Sequence, residues 1–193
     1  MFANGTSIFL SFFKNSIGPI SETFFPGKKV SEIGSLEFLK TDKNIEVPLA
    51  NKILSLDGIT MVFFGEDFIT VKKEKELKWD DLKFGIISEI NDYYGKGNEV
   101  VVKKSFNQKD SKLASGQSNE IISKINEILD SKIRPAVARD GGDITFKSFN
   151  EGVVTVELKG SCSGCPSSTQ TLKQGVQNLL CHYIPEVKSV EAN

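Results

Sequence analysis

A chain of 193 residues, 39% hydrophobic and 25% charged, holds enough apolar material for one large or two small globular domains. Its formal net charge of -1 leaves no excess of Lys and Arg for phosphates, so a nucleic-acid partner and a membrane-surface role find no support. Three cysteines are too few, and odd in number, for a disulfide-stapled secreted domain; a reducing compartment is expected, where paired cysteines serve metals or redox chemistry.

The apolar run "SIFLSFF", residues 7–13, reads as a first strand or an unstructured start. No Lys or Arg precedes it, no A-x-A-like site follows, and it is far shorter than the ~20 residues that cross a bilayer, so no targeting role is expected. Residues 48–56 read as a helix, with Pro48 at its start and Gly58 just past its end. Residues 61–73 read as a β-hairpin around Gly65, Glu66 and Asp67. Leu82, Ile86, Ile90 and Tyr93 recur at helical spacing within residues 79–94, behind acids at the front. This half holds no cysteine and no histidine, and no catalytic constellation.

Residues 103–117 are mostly Lys, Ser, Asn, Gln, Asp and Gly, a composition that buries too little surface to offset its ordering entropy. They are expected to form a flexible linker between a first domain, residues 1–102, and a second, residues 118–193. The second domain opens on an amphipathic helix, capped by Ser118 or Asn119, with Ile121, Ile125, Ile128 and Leu129 as its stripe. Pro135 should disturb or end it. A polar, glycine-rich turn follows at residues 139–143. Residues 144–149 and 153–160 then form a hairpin around Asn150, Glu151 and Gly152. Alternation puts Ile144 and Phe146 on one face, and Val154, Val156 and Leu158 on the facing side. The expected class is therefore α+β, as two small mixed domains.

The hairpin delivers the chain to "GSCSGCPSST", which carries Cys162 and Cys165. Pro166 suits a first helical position, with Cys165 as cap. Leu172, Val176, Leu179, Leu180 and Tyr183 form the apolar stripe of the helix behind it, closed by Pro185. The motif thus sits in a strand-to-helix loop, where free N–H groups and the helix dipole favour thiolate. Cys181 and the lone His182 cannot complete a zinc site within the chain. Cys181 lies sixteen residues beyond Cys165, roughly 24 Å along a continuous helix. It is expected nearly opposite the apolar stripe, as a free thiol on a solvated or partner-facing side, with His182 suiting the helix C-terminus. Two thiolates per chain fit half of an iron–sulfur site, since clusters take four; two chains would then share one labile cluster. A thiol–disulfide oxidoreductase and a zinc-bridged dimer use the same two residues, and the residues alone leave all three open.

The string "RPAVARDGGDITF…GSCSGCPSSTQTLKQGVQNLL…PEVKSVEA", from about residue 121 to 192, resembles the NifU C-terminal-like domain of Nfu-type iron–sulfur scaffold and carrier proteins. "FFPGKKV" (residues 24–30), and "VFFGEDFITVKK" through the helix at Trp79, resemble that family's separate N-terminal domain. The opening residues 1–22 depart from the Asn/Pro-rich strand with which that domain usually starts. The resemblance implies a protein that is not an enzyme. It would bind a labile [4Fe–4S] cluster bridged between two protomers by Cys162 and Cys165 of each, and deliver it to client apoproteins. It further implies a homodimer on cluster binding and upstream cluster-assembly partners; from composition, no nucleic acid and no membrane are expected as partners. The expected location is a bacterial cytoplasm, or the mitochondrion if the source is eukaryotic.

Overall fold

The computed structural model describes residues 9–10, 20–43, 45–98, 101, 118–163 and 166–192. It divides into two compact units, Met1–Phe106 and Asn107–Asn193, each of mixed α and β structure. The expected linker, residues 103–117, lies outside the described residues. No helix among the described residues is long and apolar enough to cross a membrane.

The first unit contains strands β1 (Phe9–Leu10), β2 (Ser21–Phe25), β3 (Leu36–Leu39), β4 (Ile59–Phe64) and β5 (Ile69–Lys73), with helices α1 (Pro48–Leu54) and α2 (Trp79–Gly95). The strands form one antiparallel sheet in the order β1-β2-β5-β4-β3. Register puts Phe24 beside Ile69, Phe64 beside Ile69 and Leu36, and Val62 beside Val71 and Phe38. That face joins one core with Leu49, Ala50 and Ile53 of α1 and Trp79, Ile86, Ile90 and Tyr94 of α2. The expected α1, α2 and hairpin are all present, α1 ending at Leu54. Within residues 7–13 only Phe9 and Leu10 are described, and they are a strand on the edge of the sheet. Strands β2 and β3 carry no clear alternation in sequence; their place comes from pairing with β5 and β4.

The second unit contains α3 (Ser118–Ile128), a π-helical turn at Leu129–Ile133, α4 (Arg134–Arg139), β6 (Gly142–Asn150), β7 (Val153–Gly160), α5 (Pro166–Tyr183) and β8 (Ser189–Ala192). Pro135 disturbs the helix without ending it, the first of the two outcomes expected of it. The chain widens into the π turn, and Pro135 falls in the first turn of α4, where its missing N–H and ring are accommodated. The proposed caps Ser118 and Asn119 are already helical, and their side chains lie outside the described residues.

Strands β6 and β7 form the expected hairpin, with Ile144 opposite Leu158 and Phe146 opposite Val156. Its two-residue loop has φ of 51° at Glu151 and 90° at Gly152, the primed-turn geometry that matches the twist of paired strands. A register shift between Phe146 and Ser148 then brings Phe149 opposite Val154, on the core side. Strand β8 pairs parallel to β7, with α5 as the crossover. Ile125, Leu129, Ile133 and Val137 meet Ile144, Val154 and Val156 of the sheet and Val176 and Leu180 of α5 in a second core.

Two expectations for α5 are corrected. Tyr183 does not complete the apolar stripe: it is 50% exposed, with Lys132 Nζ 5.2 Å from its ring centroid, and Ile184 is buried instead. Cys181 is partly buried and packed against the core, not on a solvated side. Gln177, one turn before it, accepts the Val190 N–H through Oε1 at 3.1 Å, so the β8 strand runs along this side of the helix.

Candidate functional site

The second unit presents its chemistry where β7 ends. Gly160, the last residue of β7, pairs with Gly142, the first of β6. Gly160 has φ of 69° and turns the chain out of the sheet into Ser161 and Cys162. Gly141, with φ of 78°, does the same at the entrance to β6. The two turns are stitched together. Ser161 N–H donates to the Gly141 carbonyl at 3.2 Å, and the Ser161 hydroxyl donates to the Asp140 carbonyl. Ser163 folds back on the strand end, its hydroxyl donating to the Gly160 carbonyl at 2.8 Å. From the other side Thr169, in the first turns of α5, donates its hydroxyl to the Cys162 carbonyl at 3.1 Å.

Asp143 anchors the glycine-rich turn. Its Oδ1 accepts from its own strand at Ile144 N–H, at 2.8 Å, and from Arg134 Nε at 3.0 Å. Arg134 Nε also reaches the Ile144 carbonyl at 3.2 Å, and Nη1 reaches Asp130 Oδ1 at 2.9 Å. One guanidinium at the start of α4 therefore ties the helical layer to the first residues of β6. The sequence shows residues 139–143 only as a polar turn. The structure makes that turn the wall against which the cysteine loop is built.

Cys162 is 8% exposed and belongs to the second core. Its sulfur lies 3.8 Å from the Ser161 hydroxyl oxygen. Burial pushes the thiol above its ordinary value; the Ser161 hydroxyl works in the opposite direction, and the carboxylates of Asp140 and Asp143 add to the rise. This corrects the expectation that the loop as a whole favours thiolate. At Cys162 burial works against the thiolate, the opposite direction. Cys165, the second predicted ligand, lies outside the described residues. Among the described residues no group of three or more His, Cys, Asp or Glu could hold a metal ion.

Comparison with known proteins places both halves. A family model described as "Scaffold protein Nfu/NifU N terminal" matches residues 18–97, and one described as "NifU-like domain" matches residues 125–191. NifU-like protein 4, mitochondrial, of Arabidopsis thaliana is 42% identical over 175 residues, which cover 90% of this chain and 62% of that protein. NifU-like protein 5, mitochondrial, of the same plant is 41% identical, over 90% of this chain and 64% of that protein. The chain thus spans less than two thirds of the length of these two relatives. The human protein named NFU1 iron-sulfur cluster scaffold homolog, mitochondrial, is 42% identical over 90% of this chain and 67% of its own length. A solution structure of a NifU-like protein from Saccharomyces cerevisiae is 20% identical over 54% of this chain and 92% of its own, with a TM-score of 0.44.

Proposed function

The chain belongs to the Nfu family of NifU-like scaffold proteins, and from that premise we propose that it binds an iron–sulfur cluster as cargo and passes it to apoproteins. The ligands are Cys162 and Cys165, and the cargo is a [4Fe–4S] cluster held between two protomers. The observation that carries this reading is the Cys-x-x-Cys of the NifU-like half, raised by a hairpin to the start of α5, with the Cys162 main chain tied to that helix by Thr169. Two thiols per chain supply half of the usual four, which favours a shared site. Ligation takes the thiol protons, so a cysteine that is neutral without cargo is compatible with a thiolate ligand.

A cluster shared across a loop is easier to surrender than one enclosed by four cysteines of a single chain. That suits transfer better than electron transport, and the role is one of binding and delivery, not of catalysis. The partners are a second copy of the chain, upstream proteins that supply the cluster, and apoproteins that receive it. The relatives' names point to the mitochondrion as the compartment.

Anaerobic reconstitution of the full chain with ferrous iron and sulfide tests the reading. The wild-type chain should turn brown and show the visible and Mössbauer spectra of a [4Fe–4S] cluster. Cys162→Ala and Cys165→Ala should each stay colourless while keeping the far-UV circular dichroism of the folded chain. A normal cluster spectrum from either variant removes that residue from the ligand set. A colourless wild type returns the motif to zinc or disulfide chemistry.

A further inference from the structure

Gly142 is glycine for a reason other than backbone conformation. Its φ is not in the left-handed region, unlike that of Gly141 before it. What it supplies is space. A Cβ at position 142 would stand 2.7 Å from the Cys162 sulfur, 2.7 Å from the Lys159 carbonyl oxygen and 3.3 Å from the Cys162 Cβ. Such approaches are shorter than van der Waals contact, and the carbonyl belongs to the paired strand, which cannot swing aside as a side-chain end can. The sulfur occupies the volume a side chain at 142 would fill. The main chain that carries it is held by the bonds of Ser161 to residues 140 and 141 and by Thr169 on the Cys162 carbonyl, with the apolar core behind.

We propose that Gly142 is a positioning residue that seats the Cys162 sulfur against the backbone of β6 in the cargo-free chain, stowed from solvent until cluster is loaded. The inference rests on Cys162 being a cluster ligand. A ligand shared with a second chain must face outward, and Cys162 is buried, 8% exposed, with its sulfur against β6. Loading therefore draws the sulfur off its seat, and release of the cargo lets it return. Between cargoes the seat keeps the thiol from electrophiles in solution.

The test is site-resolved alkylation of the full-length, cluster-free, reduced chain by limiting iodoacetamide under anaerobic conditions, read by peptide mass for Cys162 and for Cys181. The wild-type chain should modify Cys162 about tenfold or more slowly than the same chain unfolded in guanidinium. Gly142→Ala should raise the Cys162 rate by roughly fivefold or more and leave Cys181 at its wild-type rate. Gly152→Ala is the control. It strains the far end of the same hairpin, where φ is 90° and a Cβ would meet the Lys188 side chain at 2.9 Å. It should leave the Cys162 rate unchanged. A Gly142→Ala chain whose Cys162 and Cys181 accelerate together, or a Gly152→Ala chain that exposes Cys162 as much, reduces the effect to lost stability and overturns the proposal. If Gly142→Ala does not fold, the wild-type rate decides: tenfold protection sustains the stowed sulfur, and none overturns it. A wild-type chain that accepts no cluster in reconstitution defeats the ligand reading alone, because the alkylation rates are measured without cargo.

Discussion

Tyr94 packs its ring into the first core, beneath Lys28 Nζ at 5.3 Å from the ring centroid, and its hydroxyl donates to the Lys29 carbonyl at 3.4 Å. Burial, with a smaller contribution from Tyr93, pushes the phenol from 10.0 up to about 12. The folded state therefore holds the neutral phenol, so its contribution is complete below pH 10 and disappears as the pH rises toward about 12. Over that window the first unit should lose on the order of 2–3 kcal/mol through this group. Tyr94→Phe, compared with wild type by urea unfolding at pH 9 and at pH 11.5, should flatten the loss. Equal losses in both chains would place the alkaline sensitivity elsewhere. Cys181 gives a second test at this scale. Its distance along α5 from the motif keeps it out of the ligand set, so Cys181→Ser should load cluster normally. Because it packs against the core, the same change should cost roughly 1 kcal/mol of stability, visible in a denaturant midpoint. Loss of cluster in this variant would contradict the helical separation. The Cys-x-x-Cys spacing marks Cys162 and Cys165 as candidate ligands in the sequence, while leaving iron–sulfur, zinc and disulfide chemistry open. The seat of Cys162 is not legible there, since Gly142 and Cys162 meet through strand pairing across a hairpin, and no local pattern in either segment records that contact.

Each long helix and both hairpins announce themselves by period and punctuation, because their apolar residues face a single core. The strands that escaped the sequence, β2, β3 and β8, have 4 or 5 residues and take their place by pairing with a neighbour. The π turn escaped for a different reason: Pro135 signals a break, while the packing of Leu129, Ile133 and Val137 on one core keeps the helical path going. Two predictions belong to these elements. Leu180, at 0% exposure in the middle of the second core, links α5 to the sheet. Leu180→Ala should cost about 2–5 kcal/mol, read as a drop in the unfolding midpoint of the second unit; a change below 1 kcal/mol would mean that α5 is not held by this core. At the tip of the hairpin Glu151 adopts a φ of 51°, which Asn tolerates better. Glu151→Asn should stabilise the second unit by roughly 0.5–1 kcal/mol in the same measurement, and a destabilised variant would show that the Glu151 side chain contributes more than its backbone strain costs.

At the scale of the whole molecule, each unit has its own core of buried residues, and the cysteine motif belongs entirely to the second. A fragment of residues 117–193 should therefore fold and reconstitute a cluster without the first half. A folded fragment that refuses a cluster accepted by the full chain would assign part of the site to the first unit. The central claim is that two chains share one cluster, because each brings two thiols to a site that takes four. Association and loading are then linked. Sedimentation velocity of the full chain, run anaerobically on one sample before reconstitution, after it, and again after chelation of the iron, measures that linkage directly. The expected result is a largely monomeric chain that becomes a dimer with the visible absorbance of the cluster travelling in the dimer boundary, and that returns to monomer once the iron is removed. A cluster-bearing species that sediments as a monomer would contradict the shared site.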